Sequence, residues 1–363
     1  MKILIAGDVF ATEHTEKHFA RGDAEKTFGN LKKVFEGNDI NFVNLECAIG
    51  SSTNAIKKYG PNLISTYGTA QTLKNLGVTL CGLSNNHSFD FGIEGMQSTL
   101  SELSKAGLEY TGFGENYEDS RKNYVYEKDG EKVCIIAVCE HEYTYALDNR
   151  MGSRPFDPFD TIWDIREAKK ECDRVIVIYH GGKELSRYPS PRVRKTFHAM
   201  AKNGADVVIG QHSHCLCGYE KVNGAHLFYG QGDFNFVRKH EGLHELRNCS
   251  MLFKYDTKTN EAEFIPTVQA IEYEGTKLAE GEDKEAVEKI FREASNTLSD
   301  GTWIDKWKEF AKEAQGEYLR LLKIAYSDEA TDIQKCVLGH YVDCEAHEDI
   351  LREMYPSFNL TNK

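Results

Sequence analysis

The most regular feature of the chain is a series of short apolar runs, each followed by polar residues and then by a segment with helical spacing. We predict strands over Lys2–Ala6, Ile40–Leu45, Val78–Leu83, Val133–Val138, Val175–Tyr179, Val207–Ile209, 226–230 and 250–272. Apolar runs of this length, bounded by glycine or polar residues, are typical of buried strands. We predict a surface loop over 51–68 and helices over 23–37, 69–76, 94–106, 160–171 and 191–203. This alternation predicts a layered α/β domain.

Polar residues of the metal-ligand type follow five of the predicted strands. In α/β domains, ligands bind beyond the carboxyl ends of the strands, so we expect these side chains to meet at one site. Taken alone, a His-x-His pair is as typical of a surface turn as of a metal site. The agreement of five strand ends favours the shared site, whose candidate residues are Asp8, Glu46, Asn86, His87, His180, His212 and His214.

The chemistry of these side chains indicates divalent metal ions. Carboxylates, an amide and imidazoles suit Mn, Fe or Zn. Because they exceed what one ion with an open position needs, we predict two ions about 3.5–4 Å apart, bridged by Glu46. Such a site activates water and neutralises charge on a phosphoryl group or a similar oxyanion. His87 is then free to protonate a leaving group or to hold an oxyanion, and its alternative role is structural.

Composition narrows the classes of function. The net charge is −13, and no basic run marks a nucleic-acid-binding face. No segment approaches the roughly 20 apolar residues of a membrane helix, and the first residues contain no signal-peptide core. The ten cysteines do not have the spacing of a disulfide framework. We therefore expect a cytoplasmic protein with reduced thiols that binds no nucleic acid. The predicted metal ions make an anionic small molecule or polymer the expected partner, since an acidic chain needs a local source of positive charge to bind one.

After residue 273 the pattern changes to amphipathic helices, which we predict over 283–298, 302–326 and 332–354. We therefore predict two units, an α/β domain at 1–273 and a helical extension at 274–363. The apolar stripes of the extension are typical of packing faces, and we expect the extension to dock a partner or a second copy of the chain. Its cysteines and histidines do not have the spacing of a zinc site; they are Cys336, His340, Cys344 and His347.

A series of short motifs follows the strand ends in order: Gly7-Asp8, Asn44-Leu45-Glu46, Asn85-Asn86-His87 with Asp90, His180-Gly-Gly with Glu184, Gly204-Ala-Asp, Gly210-x-His-x-His and Gly232-x-Phe. This series resembles the CapA family of capsule synthesis proteins over roughly residues 1–240. The family, also called the poly-γ-glutamate biosynthesis type, is related to calcineurin-like metallophosphoesterases. The resemblance implies a four-layer α/β/β/α sandwich of metallophosphoesterase type, with two mixed sheets packed face to face.

The resemblance also implies a role for each motif residue. Asp8 and His214 serve one metal, Asn86, His180 and His212 serve the other, Glu46 bridges them, and His87 is the catalytic imidazole. We add Asp90 and Glu184, which belong to the same motifs, as candidate catalytic residues.

Two positions depart from the metallophosphoesterase pattern. Metallophosphoesterases carry Asp-x-His at the first strand, where this chain has Phe10, so one ligand of the first metal is absent. The Gly-Asn-Phe motif of the family appears as Gly232-Asp233-Phe234, which makes Asp233 a candidate for an additional carboxylate and Asn235 a candidate for the amide.

Two segments supply candidates for contacts with the substrate. They are Glu142, Tyr143 and Arg154 in the long loop after the fourth strand, and Glu184, Tyr188 and Arg192 after the His-Gly-Gly turn. Either arginine would bind a phosphate or carboxylate through two hydrogen bonds, and ordinary surface positions are equally compatible with the pattern. The leading hypothesis is a CapA-type metal-dependent hydrolase that acts on a phosphoester or on a γ-linked or surface-polymer substrate. The alternative is a non-catalytic accessory protein of polymer assembly or export that binds a polyanion in the same pocket.

Overall fold

The computed structural model describes residues 1–239 and 247–354 and contains two mixed β-sheets that pack face to face. In this described part of the chain, the first sheet has eight strands. Its parallel half consists of Lys2–Val9, Ile40–Leu45, Leu80–Gly82 and Glu109–Thr111. Antiparallel strands continue the sheet on the other side of Lys2–Val9; they are Cys249–Asp256, Glu261–Ala270 and Gly275–Leu278. A short strand, Asp233–Asn235, pairs with the carboxyl end of Lys2–Val9.

The second sheet runs in the spatial order Tyr219–Val222, Ala225–Phe228, Val207–Gln211, Arg174–His180, Glu131–Cys139 and Tyr124–Lys128. The strands from Ala225–Phe228 to Glu131–Cys139 are parallel, and each outermost strand pairs antiparallel. Two small sheets join Ala48–Ile49 to Ile64–Ser65 and Phe113–Gly114 to Gly152–Ser153.

The alternation of side chains along the strands builds the layers. Ile3 and Ile5 lie in the core between the two sheets, whereas Leu4 and Ala6 lie in the core between the first sheet and its helices. The helices outside the first sheet are Ala24–Phe28, Lys32–Phe35, Thr69–Leu76 and Gly92–Ala106, and those outside the second are Asp160–Glu171 and Pro191–Lys202. Short helices span Glu16–Phe19 and Tyr117–Ser120. The predicted α/β/β/α sandwich is confirmed.

Several element boundaries differ from the sequence prediction. The helix predicted over 23–37 is divided by a 3₁₀ turn, Gly29–Leu31, because Gly29 has a φ of 51°, in the left-handed region. The strand predicted over 78–83 is limited to Leu80–Gly82. The last strand of the first sheet, Gly275–Leu278, lies beyond the boundary that we placed at residue 273, and the first helix of the extension begins at Gly281.

The C-terminal extension consists of Gly281–Asp300, Trp303–Ala325, Asp332–Leu338, the π-helix Gly339–Asp343, and Glu345–Glu353. Its first helix packs on the α/β domain, where Val287 joins the core between the sheets. The other helices enclose a separate apolar core around Trp307, which is 1% exposed. In the described part of the chain, no helix is both long and apolar enough to cross a lipid bilayer.

The long loop after Glu131–Cys139 binds the extension through alternate residues. The hydrogen bonds join His141 Nδ1 to Glu345 Oε1 (2.7 Å), Tyr143 Oη to the Cys336 carbonyl (2.6 Å) and Tyr145 Oη to Asp343 Oδ2 (3.0 Å). Arg192 adds an ionic contact, because its guanidinium donates to Asp349 Oδ2 of the last helix at 2.9 Å and to Glu140 Oε1 at 2.5 Å. Polar contacts as well as apolar packing therefore hold the extension on the α/β domain.

We expect Trp307→Ala to lower the free energy of unfolding by about 3–5 kcal/mol, because it leaves a cavity in the core of the extension. Trp163→Ala is the matched control, since Trp163 is 56% exposed. For this control we expect a change within about 0.5 kcal/mol. Urea denaturation followed by circular dichroism measures both variants. Equally small changes would contradict an anchoring role for Trp307.

Candidate functional site

The predicted metal ligands come together where the parallel strands of both sheets end. The first sheet places Asp8, Glu46 and Asn86 at or just beyond its strands, and the second sheet places His180, His212 and His214. No member of this set is more than 4% exposed. The ring centroids of His180 and His212 lie 4.8 Å apart, and those of His212 and His214 lie 5.7 Å apart. The structure thus brings all six residues into one buried cluster.

Glu46 lies in this cluster without a hydrogen-bond partner among the residues that the structure describes. Its side chain is fully buried, and neither carboxylate oxygen accepts a hydrogen bond from a described residue. Oε1 lies 3.4 Å from His180 Nε2 and 3.8 Å from His214 Nε2. Burial raises the pKa of Glu46, although His214 and His87 act to lower it. A buried carboxylate with unpaired oxygens is costly, and a divalent ion between these donors would supply the missing partner.

Asp8 is held in place by two hydrogen bonds. Asn44 Nδ2 donates to Oδ1 at 2.7 Å, and the backbone N–H of His212 donates to Oδ2 at 3.1 Å. Asn85 fixes Asn44 in turn, since its Nδ2 donates to Asn44 Oδ1 at 3.0 Å. Burial, followed by the nearby Glu46, raises the pKa of Asp8 to about 6. Asn44 therefore orients the predicted ligand Asp8. Glu46, another predicted ligand, follows Asn44 by two residues in the sequence.

The environment keeps two imidazoles of the cluster neutral. Burial lowers the pKa of His180 to about 4 and the pKa of His212 to about 3. Neutral imidazole is the form that binds metals, and Nδ1 of His212 has no hydrogen-bond partner in the described part of the chain. His212 and His214 have φ angles of 82° and 52°, in the left-handed region that is costly for residues other than glycine. This strained turn places both rings against the same cluster.

Asp233, the candidate for an additional carboxylate and for a substrate contact, lies behind His214. Its Oδ1 lies 2.7 Å from His214 Nδ1, and its Oδ2 accepts from Arg247 Nε at 2.9 Å. Burial and Arg247 act to lower the pKa of His214, but Asp233 and Glu46 outweigh them and raise it to about 9. A metal ion that binds His214 would therefore displace a proton from this ring. Carboxylates commonly orient metal-binding imidazoles in this way. Among the described residues of this cluster, two groups of three side chains have ligand atoms within 4.8 Å of one another: Glu46, His212 and His214, and Asp8, His214 and Asp233.

His87 stands at the edge of the cluster in a network with Asp90 and Lys58. Its Nδ1 lies 2.6 Å from Asp90 Oδ2, which leaves Nε2 as its remaining nitrogen. Lys58 Nζ lies 2.5 Å from Asp90 Oδ1 and donates to the carbonyl of Asn86 at 3.1 Å. The Lys58 side chain is only 2% exposed. Sequence reasoning missed this lysine, because a single lysine in a polar loop carries no signal that distinguishes it from a surface residue.

A cavity of about 430 Å³ opens beside the cluster. His87, Asn86 and His214 line it, together with the predicted residues Glu142 and Glu184. Burial acts to raise the pKa of Glu142, but His340 and His212 outweigh burial and hold this pKa well below its usual range. The remaining charged and imidazole residues of the lining were not predicted as site residues; they are Lys183, Arg238, Arg247, Glu317, His340 and His347.

The two predicted substrate-binding arginines do not line this cavity. Arg154 is 2% exposed, and its guanidinium donates to Asp164 Oδ2 at 2.6 Å and to Asn123 Oδ1 at 2.8 Å. Arg192 is engaged by the contacts that hold the extension. Both side chains are committed to protein carboxylates, so neither guanidinium is available to bind a substrate anion in this cavity.

The predicted substrate residues Tyr143 and Tyr188 also lie outside the lining, as does Asn235, the candidate for the family's amide and for a further substrate contact. Tyr143 binds the extension, and Tyr188 packs against the apolar core of the extension. Asn235 is fully buried, and its Nδ2 donates to Thr276 Oγ1 at 3.0 Å. Each has a structural partner in place of a substrate.

Comparison with known proteins identifies relatives of this chain. Residues 2–238 match the family model described as "Bacterial capsule synthesis protein PGA_cap". The PGA biosynthesis protein CapA of Bacillus subtilis is 31% identical over 260 residues, which cover 70% of this chain and 67% of that protein. The capsule biosynthesis protein CapA of Bacillus anthracis is 28% identical over 65% of this chain and 60% of its own length. A probable polyglutamine synthesis accessory protein of Mycobacterium tuberculosis is 26% identical over 50% of this chain and 52% of its own.

We expect Lys58→Met to lower the free energy of unfolding by about 3–5 kcal/mol, because it leaves the buried Asp90 carboxylate without its cationic partner. Lys57→Met is the matched control, since the neighbouring Lys57 side chain is 73% exposed in its ion pair with Asp332. Here we expect a change of no more than about 1 kcal/mol. Urea denaturation measures both variants. A Lys58→Met variant as stable as Lys57→Met would show that the buried ion pair is not required.

Proposed function

Because the chain belongs to the bacterial capsule synthesis protein family PGA_cap, we propose that it is a metal-dependent hydrolase of the metallophosphoesterase type that serves the synthesis of a capsule or another surface polymer. The observation that carries this proposal is the fully buried Glu46 carboxylate. Neither of its oxygens has a hydrogen-bond partner among the described residues, although imidazoles from the other sheet lie close to it. The proposed substrate is an anionic small molecule or polymer with a phosphoester or γ-linked bond.

The residues of the cluster divide naturally between two divalent ions. Asp8, Glu46 and His214 would hold one ion, with Asp233 behind His214 or as an additional ligand. Asn86, His180 and His212 would hold the other, with Glu46 shared. Mn, Fe and Zn suit this mixture of carboxylate, amide and imidazole donors. When bound, such ions supply an activated water and neutralise charge on the reacting oxyanion.

His87 is the proposed general acid. Asp90 occupies its Nδ1 at 2.6 Å, so Nε2 is the atom that exchanges a proton with the leaving group. Lys58 and the backbone N–H of Leu63 hold Asp90, which keeps the imidazole in one orientation. Glu184 lines the same cavity. Burial acts to raise the pKa of Glu184, but His214 and Lys183 outweigh burial and lower this pKa. Glu184 is therefore proposed to act as a carboxylate.

A specific feature of the site favours a second candidate function, that of a non-catalytic accessory protein of polymer assembly or export. Phe10 stands where metallophosphoesterases carry a ligand histidine, and its ring lies 5.1 Å from that of Phe236 on the cavity wall. An apolar side chain cannot bind a metal. In this alternative, the cavity binds a polyanion without hydrolysing it.

The proposed location is the cytoplasm. All ten cysteines are free thiols and nine of them are buried, which is typical of a reducing compartment.

The proposed partner for the extension is a second copy of the chain. Three apolar side chains of the extension are at least half exposed and offer apolar surface to this partner; they are Leu319, Tyr326 and Ile333.

Metal content tests the binuclear site directly. In protein purified without chelators, we expect about two equivalents of Mn, Fe or Zn by elemental analysis. We expect Glu46→Gln and His212→Ala to lose metal, because each removes a donor of the buried cluster. Glu118→Gln, with a side chain 76% exposed, is the control and should keep the metal. One equivalent would indicate a mononuclear site, and no metal under any loading condition would reject the hydrolase.

Hydrolysis of glycerol 3-phosphate, whose alkoxide leaving group needs a proton, tests the role of His87. We expect His87→Ala to lower kcat by about 10²–10⁴-fold with metal content unchanged, because general acid catalysis contributes a factor of that size. His198→Ala, on a helix of the outer layer, is the matched histidine control and should retain the wild-type kcat. A metal-loaded protein that hydrolyses neither phosphoesters nor γ-glutamyl amides would favour the accessory function instead.

A further inference from the structure

The C-terminal extension supplies part of the wall of the candidate active site. Glu317, His340, Tyr341 and His347 line the same cavity as His87. These residues lie outside the segment that matches the family model, which ends at residue 238. The α/β domain therefore carries the proposed reacting groups, while the extension closes one side of the space that a ligand would occupy.

His340 is tied to the metal-ligand cluster through Glu142. Its Nδ1 lies 2.9 Å from Glu142 Oε1, and Glu142 Oε2 accepts from Asn86 Nδ2 at 3.0 Å. The His340 ring also packs against Tyr59, with 5.3 Å between ring centroids. Residues of the α/β domain thus fix His340 on two sides, so this wall is positioned relative to the cluster.

His347 lies on the cavity wall together with the cationic residue Lys183. Its Nδ1 is hydrogen-bonded to the Tyr318 hydroxyl, and its ring centroid lies 4.1 Å from that of His340. Burial, together with His340 and Lys183, lowers the pKa of His347 well below its usual range, so the ring is neutral. When the Tyr318 hydroxyl donates this hydrogen bond, the neutral ring carries its proton on Nε2. In this tautomer His347 has one N–H left to donate, on a wall that Lys183 shares.

The charge and size of the cavity restrict its ligand. The cavity lining contains as many cationic residues as carboxylates; the cationic residues are Lys183, Arg238 and Arg247. Because these charges balance, the positive charge of bound metal and the imidazole N–H donors would make the cavity favour anions. A volume of about 430 Å³ is that of a site for a small molecule.

We propose that His347 and Lys183, on the wall that the extension completes with His340, form a subsite for a second anionic group of a small phosphoester substrate, distant from the reacting phosphate. This inference rests on the proposed function, since the metal cluster is what would bind the reacting phosphate. It makes the extension a determinant of specificity and assigns its histidines a role in ligand binding.

Two matched pairs of small phosphoesters test the subsite at two lengths. The pairs are 3-phosphoglycerate with glycerol 3-phosphate, and 6-phosphogluconate with sorbitol 6-phosphate, and each pair differs by one carboxylate. Isothermal titration calorimetry on the full metal-loaded chain gives the dissociation constants, with His87→Ala in every protein compared so that the esters are not hydrolysed during the titration. For at least one pair, we expect the carboxylate to tighten binding to the otherwise wild-type protein by about 10-fold or more, the effect of one charge-assisted hydrogen bond.

We expect His347→Ala to reduce this preference to near one, whereas His198→Ala should retain it, because His198 pairs with Glu220 on an outer helix. Lys183→Met is a second variant, outside the extension, and should weaken the same preference. It tests the subsite even if His347→Ala does not fold.

The outcomes separate the subsite from the proposed function. Equal binding within both pairs by the wild-type protein, or a preference unchanged in His347→Ala and Lys183→Met, would overturn the subsite while phosphate binding at the metal cluster stands. Failure of all four esters to bind a fully metal-loaded chain would reject the subsite and the phosphoesterase function together.

Discussion

The burial of the Glu46 carboxylate is the constraint on which the rest of the site depends. A charged oxygen in a dry interior needs a partner, and neither oxygen of Glu46 has one among the described residues. The imidazoles beside it belong to the opposite sheet, so the charge becomes buried only when the two sheets pack. The same packing that forms the central core therefore creates an electrostatic demand that a divalent ion between the sheets would meet.

The residues behind the cluster turn this demand into a defined geometry. Asn44 holds Asp8, Asp233 holds His214, and Asp90 holds His87. Most of these supporting groups stand at strand ends, where the backbone is fixed by hydrogen bonds on both sides. Sites built on such elements are positioned more accurately than sites built on loops alone. The strained φ angle of His212 is the local cost of placing two histidines of one turn at the same cluster.

The sequence predicted the fold and the cluster because both depend on local patterns. An apolar run indicates a strand, and a ligand-type residue at its end lies at the edge where parallel strands meet. Lys58 and His340 were beyond such reasoning, since their partners, Asp90 and Glu142, are distant in sequence and no periodicity relates them. The prediction that Arg154 contacts the substrate differs from the structure for the same reason, because tertiary contacts decide whether an arginine faces a ligand or a buried aspartate.

The loop that carries Glu142 couples the extension to the cluster. Its neighbours His141 and Tyr143 bind the extension, while Glu142 itself contacts Asn86 on one side and His340 on the other. A shift of the extension would therefore move the carboxylate that holds a predicted metal ligand. Because Asn86 Oδ1 also lies 3.0 Å from His180 Nε2, the displacement would reach the second sheet. The wall that shapes the cavity and the groups proposed to carry out the chemistry thus form one connected polar network.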